Sequence, residues 1–287
     1  MAVTTNAVTS GVISELYANI VQSALYTLSE QTVIRPLVRN YNMVGTPGLT
    51  AQVPFYPAIS AADLTDGEDI ATATAFNTTS QTITAAEVGA MVLLQDLAAE
   101  SANEDVAAAV GRQLGDAMAK KVDSSLSALF TGFSNQINKA GAAVTIEDIF
   151  KAAATLRANQ APGNYVAVLH PYQSYDLKVQ LTNAGSTMSH ALSDVGNAAL
   201  MDGFIGRIAG VDIFESTLVT GDSAGAFCGG VFTQDALGYM VKREMRVETE
   251  RNASHRATEI VGTMAYGVSE LFDVYGVGIL SDSTALV

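Results

Sequence analysis

Val106, Val110, Leu114, Met118, Val122, Leu126 and Phe130 recur at every fourth position without a miss. Steps of four slightly overshoot the 3.6-residue turn, so the apolar stripe drifts around the helix. A rod of about 25–30 residues, on the order of 40 Å long, is then gripped from more than one side. The pattern therefore predicts a spine, not a surface helix. Ser101 and Glu104 stand at capping-box spacing before it, and Asp116 and Lys120 form an i,i+4 pair on its wet face.

The segments around this rod have different textures. Ile13, Leu16, Ile20, Ala24 and Leu28 mark one amphipathic helix over 10–29. Residues 33–44 read as extended, with Pro36 helping to keep them so. Residues 45–90 are rich in Thr, Ala and Gly and contain no Lys or Arg. Their charges are Asp63, Asp66, Glu68, Asp69 and Glu87. The flanks 49–56 and 80–94 have strand composition and Asp66-Gly67 has turn chemistry, which predicts a long two-stranded excursion with a solvated acidic tip.

Beyond the rod, helices and strands alternate. Thr145 is placed to cap a helix whose apolar face is Ile146, Ile149, Phe150, Ala153 and Leu156. Residues 165–169 read as a short strand, and Pro171 opens a helix through Leu181. Residues 183–203 read as loop with one short helix, and strands are expected at 206–214 and 226–232. From 237 to 279 strands dominate: Arg246, Glu248 and Glu250 alternate with Val247 and Thr249, while Tyr266, Val268, Phe272 and Val274 mark a second face.

Composition decides what such a body meets. Charged residues are 15% of the chain and apolar residues 48%, against roughly 25–35% charge on a solvated surface. The longest uncharged stretch, 41–62, is broken by Pro47, Gly48, Pro54 and Pro57 and cannot be a membrane-spanning helix. Other copies of the chain are then the expected partner. A net charge of −14 excludes gripping nucleic acid by its phosphates, although an acidic wall suits a container that must let a polymer slide. The amino terminus shows no basic residue ahead of an apolar run, which implies synthesis in a cytoplasm. The single cysteine, Cys228, lies among apolar neighbours and reads as a small buried hydrophobe.

Few residues suggest chemistry. Gly221-Asp-Ser223-Ala-Gly225, with Asp235 and His255 downstream, matches the nucleophile elbow of a serine hydrolase. That motif needs a helix after it, whereas 226–232 reads as a strand, so a hairpin loop is expected. His170, His190 and His255 are too scattered for a zinc pattern, and Gly67 is misplaced for a calcium loop. No metal or cofactor is expected. The one concentration of positive charge is Lys242-Arg243-Glu244-Met245-Arg246 followed by Arg251 and Arg256. It reads equally as a strand with an ordinary solvated face or as the partner of Asp66, Glu68 and Asp69 on a neighbouring copy, a complementarity that would set register between subunits.

In order, the parts are an arm, a long loop free of basic residues, a spine helix, a mixed α/β region and closing strands. This order resembles the Hong Kong 97-type coat protein of tailed bacteriophages over nearly the whole chain. The segments Val166-Ala-Val-Leu-His-Pro171 before a helix and Gly210-Val-Asp-Ile-Phe-Glu-Ser216 are also similar to recurring segments of that family. The resemblance implies an α+β fold with an N-terminal arm (1–47), an extended two-stranded loop (48–90), a peripheral domain with the long spine helix (91–139), an axial domain (140–230) and return strands of the peripheral domain (231–287).

It also implies a non-enzymatic major capsid protein of the virion that assembles into pentamers and hexamers of an icosahedral shell around double-stranded DNA, without reading its sequence. The chain begins directly at the arm, so any scaffold is expected as a separate protein, alongside portal and decoration proteins. Residues 48–90 hold no lysine, so the loop-lysine crosslink of some members is unavailable. Two rivals are an encapsulin-type nanocompartment shell, which shares the fold, and a cytoplasmic serine hydrolase using Ser223.

Overall fold

A computed structural model describes residues 24, 32–56, 61, 63, 78–96, 106–139, 141–182, 206–221 and 226–283. Of the expected helix over 10–29, Ala24 is described and is helical and buried in the main core; its other residues, the Ser101/Glu104 cap, the acidic tip Asp66 to Asp69, the 183–203 loop and Ser223 lie outside the described residues.

After a 3-10 turn at Arg35–Leu37 come β1 (Arg39–Asn42), β2 (Thr50–Phe55), β3 (Thr79–Thr84) and β4 (Ala86–Gln95). The rod is α1 (Val106–Ser127), prolonged by a 3-10 turn at Ala128–Thr131. Then follow β5 (Gln136–Lys139), α2 (Ile146–Ala158), β6 (Tyr165–Leu169) and α3 (Pro171–Thr182). The chain closes with β7 (Arg207–Ile208), β8 (Val211–Glu215), β9 (Ala226–Thr233), β10 (Leu237–Asn252), β11 (Ala257–Glu270) and β12 (Gly276–Asp282).

The described residues form three sheets. One has the order β1-β10-β11-β4, antiparallel except where β1 joins β10 in parallel. The second has the order β5-β12-β9-β6-β8-β7. The third is the two-stranded ribbon β2-β3, paired from Thr50↔Thr84 to Phe55↔Thr79.

The expectation that α1 is gripped from several sides is met. Leu114, Met118, Val122, Leu126 and Phe130 are all buried. They share a core with Met245, Val247, Ile260 and Met264 of the first sheet and with Val168, Cys228 and Phe232 of the second. Phe130 closes the lower end, its ring 5.4 Å from that of Phe232. A second buried stripe, Ala119, Asp123 and Ser127, runs along α1 one residue out of step with the first. Against the same core sit Ile34 and Val38, both 0% exposed; burying each side chain contributes about 1.5–3 kcal/mol. A separate core lies under α2, where Ile149, Ala153 and Leu156 pack with Ala167, Leu169, Val231 and Ile279. Thr145 caps α2 as expected, in a reciprocal capping box with Asp148.

Several local expectations are corrected. Residues 35–37 form a 3-10 turn within the stretch read as extended, because a proline φ near −65° suits the first turn of a helix as well as an extended chain. The stretch 80–94 is two strands divided at Ala85. Its second half leaves the ribbon and pairs with β11 instead, from Ala257↔Gln95 to Tyr266↔Ala86. The strand read at 206–214 is a hairpin, turned by Ala209 and Gly210 at φ 56° and 86°, the two positive values that a tight two-residue turn requires. Phe150 faces solvent, not the α2 core, and Val274 is likewise exposed.

Candidate assembly surface

The outer face of the first sheet follows from the alternation of β4. Val88, Ala90, Val92 and Leu94 pack on the core around α1, so Glu87, Met91 and Leu93 point outward. Met91 is 63% exposed. Register sets Met91 beside Val261 and Val261 beside Glu248, while Thr263 pairs with Arg246 and Ala265 with Arg243. An apolar edge is thereby bordered by a charged row. Among the described residues β4 is also the outer strand of its sheet, so half of its peptide groups face away from the sheet.

Each expected arginine has an acidic partner within the chain. Arg243 meets Glu87, Arg246 meets Glu248 at 2.8 Å, and Arg251 grips Asp96 through two bonds of 2.7 and 2.6 Å. That fork of N–H donors holds the Asp96 carboxyl below its ordinary range. Register brings Arg243 and Arg246 onto the same outer face, whereas by alternation Arg251 falls on the opposite side near the far end of β10. Reading the sequence missed Glu87 and Asp96 as partners, since strand register alone makes those pairs. The side chains of Arg243, Arg246 and Arg251 stay 44%, 63% and 53% exposed, so N–H groups remain free to face a second molecule.

At the root of the ribbon a cleft of ≈ 500 Å³ opens between Val44, Leu49, Ala85, Glu87, Lys242 and Arg243. Val44 and Leu49 are exposed along the same margin, and Tyr56 is exposed past the far end of β2. The chain thus presents apolar surface on the ribbon, at its root and on β4. Tyr172 and Tyr175 of α3 and Phe214 of β8 add exposed aromatic area at the second sheet.

The hydrolase arrangement does not form. Asp235 sits in the turn before β10, paired with Arg39 at 2.6 Å, and His255 lies in the turn after it, against Asn252 and Ser254. The intervening strand has 16 residues, or roughly 45–50 Å at about 3.3 Å per residue, so the two cannot serve one nucleophile. A strand, not a helix, follows residue 225, and Gly221 bridges Phe227 as in a hairpin. His170 stacks on Phe227 at 3.8 Å, and burial lowers its pKa. Burial pushes the Cys228 thiol up to about 11, which keeps it protonated and unreactive. Among the described residues no group of three or more His, Cys, Asp or Glu could hold a metal ion, and no helix is long and apolar enough to cross a membrane.

Comparison with known proteins fixes the class. The family model for phage capsid protein matches residues 78–277, a span that takes in α1 and most of both large sheets. No curated protein sequence matches the chain. Among solved structures it is similar to one of Mycobacterium phage Che8, with TM-score 0.70 and 19% identity over 86% of this chain and 90% of that one. The capsid of cyanophage P-SCSP1u gives 0.66 and 19% over 88% and 89%. A virus-like particle from Pyrococcus furiosus gives 0.60 and 9% over 92% and 99%. At such identities these likenesses establish the fold, which is the Hong Kong 97-like fold of tailed-phage capsids. Fold alone does not separate a phage head from a virus-like particle; the family match does. The chain belongs to the phage capsid protein family, a structural shell protein of the virion and not an enzyme.

Proposed function

We propose that this chain is the major capsid protein of a tailed phage, closing as pentamers and hexamers into an icosahedral shell around double-stranded DNA. The observation that carries the reading is the capsid-family match over 78–277. Exposed apolar residues at the ribbon root and on β4 support burial between copies, at about 25 cal/mol per Å² of apolar area covered. The parts divide as arm 1–47, extended loop 48–90, peripheral domain 91–139 with return strands 231–287, and an axial domain 140–230 at the capsomer centre. A net charge of −14 supports a wall that encloses DNA without binding it tightly. Synthesis occurs in the host cytoplasm, and scaffolding, portal and decoration proteins are the further partners.

Between subunits, Asp66, Glu68 and Asp69 at the acidic tip meet arginines of a neighbour, Arg243 and Arg246 on the outer face of the first sheet and Arg251 near the far end of β10. Exposed pairs contribute about 0.2–1 kcal/mol each. Reversing the tip (Asp66→Lys, Glu68→Lys, Asp69→Lys) is therefore expected to raise the concentration needed for assembly about ten- to hundredfold. Reversing the three arginines to Glu raises it at least as far, because it also sets like charges against Glu87, Glu248 and Asp96. Combining the two sets recovers most of the loss. Sedimentation velocity across a concentration series reads all three, and a combined variant no better than either parent set rules the contact out.

A further inference from the structure

Asp123 lies one turn before the end of α1 yet is 1% exposed. Its carboxylate accepts the peptide N–H of Val33 at 2.7 Å and that of Ile34 at 3.3 Å, ninety and eighty-nine positions earlier in the chain. The Arg35 peptide N–H and its guanidinium charge act on the same carboxylate, against the burial that raises its pKa. These N–H groups open the 3-10 turn of residues 35–37, so the carboxylate caps a turn that does not belong to its own helix. Other holds on this segment lie in the cores and at the surface. Ile34 and Val38 plug the main core, and Tyr41 and Met43 pack on the small core of Ile83, Met240 and Leu271, while at the surface β1 pairs with β10, Arg39 reaches Asp235, and Arg35 lies 5.1 Å over the Tyr239 ring. A buried acid is retained on the apolar spine where Asn or Ala would suit helix packing at least as well, which needs a reason outside the helix.

We infer that Asp123 is a latch: its carboxylate docks residues 32–43, the root of the amino-terminal segment, onto the spine helix. The latch is local. Removing it leaves the second sheet, the strands β10-β11-β4 and the buried stripe of α1 intact, and frees the root, β1 included, to peel from β10. Its consequence for assembly rests on the shell-building reading: copies whose roots sit loosely on the body present variable surfaces to one another and do not close a regular lattice.

Hydrogen exchange read residue by residue, together with sedimentation, tests this on the full-length chain. In Asp123→Ala the amides of Val33 and Ile34 are expected to exchange at least tenfold faster while those of β11 and β12 keep parental protection, and the yield of closed shells falls at least tenfold. Asp123→Asn, which keeps one acceptor oxygen, falls between the two. Should the alanine variant fail to fold, Val33→Pro decides by exchange at Ile34 and by shell yield, since it deletes one donor and leaves the carboxylate in place. Parental exchange at Ile34 in a folded variant overturns the latch, as does parental shell yield with a freed root. If the parent chain itself forms no shells, the shell-building reading fails, and the exchange data still judge the latch.

Discussion

Phe130→Ala is expected to lower the stability of the folded chain by about 3–5 kcal/mol. The side chain is 0% exposed at the junction where the end of α1 meets the second sheet, between Phe133 and Phe232. The site cannot collapse easily. Gly230 lies directly against the ring, so close that a β-carbon there would stand 2.7 Å from it; the sheet has already dispensed with a side chain to admit Phe130, and nothing adjacent can swing in to refill the space. At about 2–4 °C per kcal/mol for a chain of this size, the melting temperature should fall by roughly 10 °C. Denaturant titration followed by far-ultraviolet dichroism measures it. A loss below about 1 kcal/mol would mean that the helix end and the second sheet do not share one core.

Gly267→Val is expected to be of similar severity for the opposite reason. Gly267 lies in β11 where the chain passes from ribbon to sheet, and a β-carbon added there would meet the carbonyl oxygen of Thr84 at 2.5 Å, with Ile83 at 2.9 Å. The obstacle is backbone, so no rotamer relieves it, and β3 must lift away from β11. Overpacking of this kind costs about 1–3 kcal/mol and more where backbone must move. Ile83, Met240 and Leu271 form the small core beneath the ribbon root, so the variant should both lose stability and swing the ribbon. Chemical denaturation is expected to show the first effect and loss of assembly in sedimentation the second. Parental behaviour in both would show that the ribbon is not seated on β11 as described.

These two residues also indicate what the sequence could and could not disclose. Phe130 was legible because it is the last member of a strict four-residue repeat, and that repeat located α1 and its burial. The β6-to-α3 unit was legible for a similar reason, since Pro171 and the run 165–169 are local signals. Gly267 and Gly230 were not, because their constraint comes from Thr84 and Phe130, far away in sequence. The same holds for β4: its composition is that of a strand, but whether it continues the ribbon or joins β11 depends on pairing that no local pattern encodes. Phe150 misled because it sits at a helical spacing from Ile146 and Ala153 while facing solvent.

On the candidate surface, the basic cluster was visible from charge alone, but its internal partners Glu87 and Asp96 were fixed by register. Asp123 left a faint trace. Ala119, Asp123 and Ser127 repeat the interval of four one residue out of step with the apolar stripe; a lone acid between two small residues on a helix buried from several sides is the signal for a docked partner. The resemblance of part order carried the family, because arm, ribbon, spine and return strands are read in sequence even where their pairing is not.

Whether copies of this chain build a closed shell is decided most directly by electron microscopy of the purified full-length protein at high concentration in physiological salt. The account predicts hollow particles of uniform diameter whose surface resolves into five- and six-membered clusters. A solution of dispersed single chains at every concentration tried would contradict it.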